Sequence, residues 1–311
     1  MKLFDLHCDT PRRIYDEGLS LKSSHAHICL EKAKIYSPYI QIAAVWCTFD
    51  STEKAYGVFN ETVARFDKEC KINNCDIIKN ANDLLSSVKA QDEGRSNAGF
   101  IYCIEDCGFI TSADILDDVY DKGVRILIPM WGKTNALGAS HEANGGLTPL
   151  GKEVLTRAAQ KGMILDISHA SIRSADDIMD IAEKYSSPII ASHSNSRVFF
   201  DHTRNLYTEQ AKRLVSLGGI IGHSLCTWHL AESGKADINT VLDNISRLVE
   251  DVGEDNVAFG CDLDGTDLPL GFNDITSLSQ LYDHLSIGFS PSTADKIFYQ
   301  NALNKFQQFL K

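Results

Sequence analysis

The sequence predicts a (β/α)8 barrel of the TIM type, built as one domain over residues 1–311. Three observations carry that expectation. Eight apolar runs rich in β-branched residues recur along the chain, as parallel strands buried on both faces require. Amphipathic stretches separate them, so strand and helix alternate about eight times. The first run also lacks the Gly-x-Gly-x-x-Gly turn that would favour the runner-up, a doubly wound sheet.

The expected strands are Leu3–Leu6, Gln41–Cys47, Gly99–Ile104, Val124–Pro129, Met163–Ile167, Pro188–Ala191, Gly219–Gly222 and Asn256–Gly260. Helix signals fall between them. Thr148-Pro149 pairs an N-cap residue with proline at the first helical position, and Gly162 stops the amphipathic stretch that ends at Lys161. Ser171–Lys184, Thr208–Leu217 and Ile238–Val252 read as helices, each followed by a strand. The crossover from Asp50 to Asn97 is long and holds two helix-like segments, Glu61–Lys71 and Ala81–Lys89. Gly132–Gly146 is polar and glycine-rich with no strand pattern, the kind of loop that carries binding residues on a rigid barrel. A helix around Phe298–Phe309 has apolar residues that pack either on the barrel or on a partner copy, so a homodimer stays open.

Composition narrows the function classes. The net charge is −12, from 30 basic and 42 acidic residues, with no block of lysine or arginine. Such a chain is poorly suited to nucleic acid or to anionic lipid. No run approaches the roughly 18 apolar residues of a membrane span. Met1-Lys2 leads straight into the first strand without a signal-peptide pattern, so the expectation is a cytoplasmic protein. Nine cysteines, an odd count with no Cys-x-x-Cys pair, read as reduced and buried small hydrophobes.

The residues that follow the strands carry the chemistry. Strand one ends in His7 and Asp9, two apart and so on one face, while Cys8 points the other way. Strand three ends in Glu105, strand five in His169, strand six in His193 and strand eight in Asp262. In a barrel, all strand carboxyl ends ring one face, where active sites of this fold lie. Taken singly, a histidine here is more often a hydrogen-bonded core residue, and an aspartate a helix cap. Five of eight strands ending this way fit a metal site better. Three histidines and three carboxylates exceed the needs of one tetrahedral ion, and mixed imidazole–carboxylate ligands suit zinc, with manganese or cobalt as alternatives.

At these residues the chain resembles the membrane dipeptidase (renal dipeptidase) family of zinc metallopeptidases, a group of amidohydrolase-like barrels. The resemblance runs through Phe4-Asp5-Leu6-His7-Cys8-Asp9-Thr10, Gly146-Leu147-Thr148-Pro149-Leu150-Gly151, Gly162-Met163-Ile164-Leu165-Asp166-Ile167-Ser168-His169, Ala191-Ser192-His193-Ser194-Asn195, Arg204-Asn205-Leu206 and Gly260-Cys261-Asp262-Leu263-Asp264-Gly265. It implies a dipeptidase with two zinc ions and a bridging hydroxide. His7 and Asp9 then hold one zinc, Glu105 bridges both, and His169 and His193 hold the second. Asp262 is the acid–base residue, and Arg204 grips the substrate's terminal carboxylate, which a guanidinium fork suits. The resemblance also implies tolerance of a D-residue at the C-terminal position, so L,D-dipeptides join L,L-dipeptides as expected substrates.

The chain departs from the pattern in places. Trp131 stands where the renal enzymes carry a substrate-contacting histidine, and it offers a single indole N–H. Asp106 and Cys107 follow Glu105 where small residues are expected, which would narrow the pocket or change its charge. His223 and His229 match no family ligand; His223 reads either as a pocket residue or as ordinary structure. Two rivals remain. Other barrel hydrolases begin with His-x-His and carry a carboxylated lysine on strand four, whereas this chain has His-x-Asp, and Lys133 lies beyond that strand. A non-catalytic metal- or peptide-binding homologue is the third reading, since fold and ligands do not guarantee chemistry.

Overall fold

The computed structural model describes residues 1–311, the side chain of Ser233 aside. It contains nine strands: β1 (Leu3–Cys8), β2 (Tyr39–Trp46), β3 (Asp76–Ile77), β4 (Gly99–Glu105), β5 (Val124–Ile128), β6 (Ile164–Asp166), β7 (Ile189–Ala191), β8 (Ile220–His223) and β9 (Val257–Phe259). Every pairing is parallel, in the order β2-β1-β9-β8-β7-β6-β5-β4, and β2 pairs with β4 to close the ring. The eight expected strands are therefore the eight staves of the barrel. The remaining strand, β3, is only two residues long and pairs beside the first residues of β4. It lies in the long crossover, between helices Thr52–Ile72 and Ala81–Asp92.

Alternation along the strands divides the apolar residues into two sets. Phe4, Leu6, Ile42, Ile101, Ile164 and Ile220 belong to the cluster that fills the barrel. Their neighbours Leu3, Ala43, Tyr102, Leu165 and Ile221 belong to the larger cluster packed beneath the helices. On β1 the alternation is interrupted. Asp5 lies opposite Gln41 and Cys8 opposite Ala43, so β1 carries a bulge between them. A bulge re-aims the residues that follow it. Here it turns Cys8 into the outer cluster with Leu3, and leaves His7 and Asp9 together at the barrel mouth. Without it, His7 would share the face of Leu3 and Asp5.

Local chemistry sets the helix starts. Thr148 accepts the Gly151 N–H at 3.0 Å to open helix Pro149–Gln160, and Ser171 accepts the Ser174 N–H at 3.0 Å to open helix Ile172–Tyr185. The C-terminal segment runs from Pro291 to Phe309 and changes to a π-helical turn over Lys296–Gln300. The wider turn rotates the helix face. Phe298 meets Phe259 edge to face with centroids 4.8 Å apart, while Phe306 reaches Phe4 at 5.0 Å and closes the barrel floor with Phe309. The apolar face of this helix is thus spent on its own barrel. Truncating the floor residue, Phe306→Ala, should destabilise the protein by about 3–5 kcal/mol. Denaturant unfolding would show this as a lower midpoint with an unchanged slope.

Candidate metal centre and active site

The strand ends bring the expected ligands together. Glu105 Oε1 lies 2.9 Å from His169 Nε2, 3.4 Å from His193 Nε2 and 3.8 Å from His7 Nε2. His7 Nε2 is also 3.5 Å from Asp9 Oδ2 and 3.7 Å from Asp262 Oδ1. Two triads result, His7–Glu105–His193 and His7–Asp9–Asp262, each with ligand atoms within 4.8 Å of one another. His7 and His193 stack at 3.8 Å, and the Nε2 atoms of His169 and His193 face each other at 2.9 Å. Only Ser192 is seen to orient one of these rings, with its Oγ 2.8 Å from His193 Nδ1.

This arrangement fits a metal. His7 is fully buried, yet neither ring nitrogen has a hydrogen-bond partner, and the central Glu105 Oε1 has none either. Buried polar atoms are rarely left so. The electrostatics agree. Burial opposes charge on His7, but the carboxylates of Glu105, Asp9 and Asp262 outweigh it and lift its pKa to about 10. Burial, then the neighbouring Asp9, pushes Glu105 well above the carboxylate range. Burial also raises Asp262, to about 7. His169 and His193 are driven the other way, first by burial and then by nearby cationic groups, and so favour the neutral form that ligates metal. Without a cation the cluster must gather protons; divalent ions answer the same demand.

The backbone is bent to this purpose. His169 and Asp262 both sit at positive φ, 66° and 60°. For non-glycine residues, such a conformation costs on the order of 1–3 kcal/mol and concentrates at functional sites. Asp264, also at positive φ, clamps the segment after β9, accepting from the His27 N–H and the Thr10 hydroxyl, both at 2.6 Å. A Cβ at Gly265 would lie 2.1 Å from Asp9 Oδ2 and 2.6 Å from Asp262 Oδ1, so any side chain there would push these carboxylates out of place.

One cavity lies beside Arg204, and a second borders Asp9 and Glu105. The first, of about 470 Å³, is lined by Arg204, His141, Arg173 and Arg197. The other, of about 420 Å³, is lined by Asp9, Glu105, Arg12, Trp46 and Trp131. Arg204 is only 4% exposed; it donates to the His193 carbonyl at 3.1 Å, and its Nε has no partner. Trp131 packs edge-on to Trp46 at 5.0 Å and lies 6.3 Å from His169. Every site residue expected from the sequence therefore reaches this face.

The open readings of three neighbouring residues are resolved. Asp106 does not narrow the pocket. Its positive φ of 67° turns it away, to accept from Thr48 at 2.5 Å and Asn135 at 2.6 Å. His223 does not line the pocket either: it is fully enclosed against Phe259, and burial lowers its pKa to about 3. His229 joins a histidine group beyond Arg204, with its ring 4.9 Å from His202, which is 6.2 Å from His141. His141 and His202 come from irregular loops and carry no periodic signal; the sequence hint was the polar Gly132–Gly146 stretch alone.

Fold and site together define a metallohydrolase of the barrel type. The chain belongs to the membrane dipeptidase family (Peptidase family M19), whose pattern matches residues 1–309. An uncharacterised protein of the pqqA 5′ region from Klebsiella pneumoniae is 30% identical over 209 residues, 63% of this chain and 76% of that protein. The dipeptidase tcpJ of Claviceps purpurea is 28% identical over 204 residues, 63% of this chain but only 47% of the fungal protein. A metallopeptidase from Rhodobacter sphaeroides, solved with a phosphinate mimic of the dipeptide L-Ala-D-Ala, shares the fold with a TM-score of 0.89 at 21% identity, covering 99% of both chains. No helix among the described residues is long and apolar enough to cross a membrane.

Because a ligand that binds only the folded state stabilises it, zinc at about a hundred times its Kd should add about 2.7 kcal/mol. The melting temperature should rise by several degrees on adding zinc and fall back with a chelator. Gly265→Ala should reduce that rise while leaving the metal-free melt close to the parent's.

Proposed function

We propose that this chain is a zinc-dependent dipeptidase, one barrel domain that hydrolyses the amide bond of L,L- and L,D-dipeptides. The observation that carries the reading is the convergence of three imidazole nitrogens from three strands on the single oxygen Glu105 Oε1. Two zinc ions suit this donor set: His7 and Asp9 for one, His169 and His193 for the other, with Glu105 shared. When bound, such a pair supplies Lewis acidity, polarising a carbonyl and making water nucleophilic near neutral pH.

The protein's own groups do the rest. A dipeptide spans the two cavities. Its C-terminal carboxylate meets the buried guanidinium of Arg204, whose unpartnered Nε leaves donor capacity to spare. Its N-terminal residue enters the cavity walled by Trp46 and Trp131. Gripping the carboxylate fixes the scissile carbonyl near Glu105 and favours short substrates, because binding energy goes into orientation. Asp262 accepts a proton from the attacking water and returns it to the leaving amine; its burial raises its proton affinity toward the range such a shuttle needs. The Rhodobacter structure, with its dipeptide mimic, supports the substrate class. Nine free thiols, eight of them buried, support a reducing compartment, the cytoplasm.

Assays on a panel of L,L- and L,D-dipeptides should show release of amino acids that a chelator abolishes; no turnover by zinc-loaded protein would refute the reading. Asp262→Asn should lower kcat by about 10²–10⁴ while zinc content stays at the parent level. Arg204→Met should raise KM for dipeptides far more than for the same dipeptides with an amidated C-terminus.

A further inference from the structure

Two buried aspartates outside the ligand set hold matching positions. Asp5 accepts the His7 N–H at 2.9 Å and, across to the next strand end, the Cys261 N–H at 3.2 Å, both on Oδ1. Asp166 accepts the Ser168 N–H at 2.8 Å and, across to the next strand end, the Ser192 N–H at 3.2 Å, again both on Oδ1. Each therefore binds a backbone N–H two residues ahead and one on the adjacent strand. Both side chains are fully buried, and neither has an ion-pair partner among the described residues.

These N–H groups lie where the sheet can no longer serve them. The register of β1 breaks after Asp5, and the β6–β7 ladder ends at Asp166 and Ile190. A buried N–H left without an acceptor costs about 1–3 kcal/mol. A neutral asparagine could meet that need, at far less cost than burying a carboxylate. The strands tied together are also the ones that matter. Asp5 joins the end of β1, bearing His7 and Asp9, to the segment bearing Asp262. Asp166 joins the ends of β6 and β7, which bear His169 and His193.

We propose that Asp5 and Asp166 are positioning residues, each setting the backbone of one half of a two-metal site. This rests on the two-zinc reading above. Groups behind metal ligands typically contribute about 10–100-fold to metal affinity.

The test is zinc content and affinity of the full chain, by metal analysis after equilibration against zinc buffers, with the melting of the metal-free protein measured alongside. The parent comes first: about two zinc ions per chain upholds the two-zinc reading, and a single ion removes it together with this assignment. Asp5→Ala and Asp166→Ala should each weaken one of the two ions by about 10–100-fold and leave the other at parent affinity. The double variant should lose both. Asp5→Asn and Asp166→Asn keep the accepting oxygen, so they should fold and restore part of the lost affinity for the same ion. If an alanine variant does not fold, the asparagine variants carry the test. Parent affinity for both ions in each single variant overturns the assignment. So does equal weakening of both ions in each, or one tight zinc surviving in the double variant.

Discussion

The constraint on which this structure turns is the burial of three carboxylates and three imidazoles at one end of a barrel. In a medium of low polarity, a carboxylate without a counter-charge is costly, and three within reach of one another more so. Arg204 is the permanent cation that acts most directly on Glu105 and Asp262. The raised proton affinities of His7 and Glu105 are one response to that imbalance, while burial and neighbouring cations hold down those of His169 and His193. A site that demands positive charge and presents neutral nitrogen donors beside it is matched to divalent metal rather than to a metal-free reaction.

The scaffold meets this demand by geometry at the strand ends. A bulge on β1, left-handed backbone at His169 and Asp262, and a glycine at 265 each give up local ease for the placement of one ligand. The floor of the barrel, sealed by Phe306 and Phe309 against Phe4, provides the rigid base from which those departures are tolerated. Stability and chemistry are thus separated along the barrel axis, with regular alternation below and strain above.

Much of this was legible in the sequence, for physical reasons that differ from residue to residue. The staves were readable because parallel strands buried on both faces are continuous apolar runs. The short β3 was not, since two residues carry no period. His7 and Asp9 share a face as a simple alternation suggests, but that this face is the barrel mouth depends on the bulge, which no pattern of residue types reveals. Asp106 misled because its direction depends on a left-handed backbone angle. The choice between barrel and partner for the C-terminal helix depended on a π-helical turn that rotates Phe298 away from Phe306. Asp5 and Asp166 interrupt otherwise apolar strands, and each also takes a backbone N–H from the neighbouring strand end, a partner invisible to composition.

The groups that meet at this site come from five strand ends, from residue 7 to residue 262, and this has a consequence for how the protein acquires its metal. In the unfolded chain, closing loops of such length before any contact is rewarded is entropically unfavourable, and no two neighbouring segments form a chelating motif. A nascent or damaged chain therefore offers passing ions no high-affinity site. Ion capture becomes a late event that reports completion of the whole ring, and almost all of the binding energy goes to the finished fold rather than to partly ordered forms. The architecture acts as its own quality control, withholding the reactive ions until the pocket that disciplines them exists.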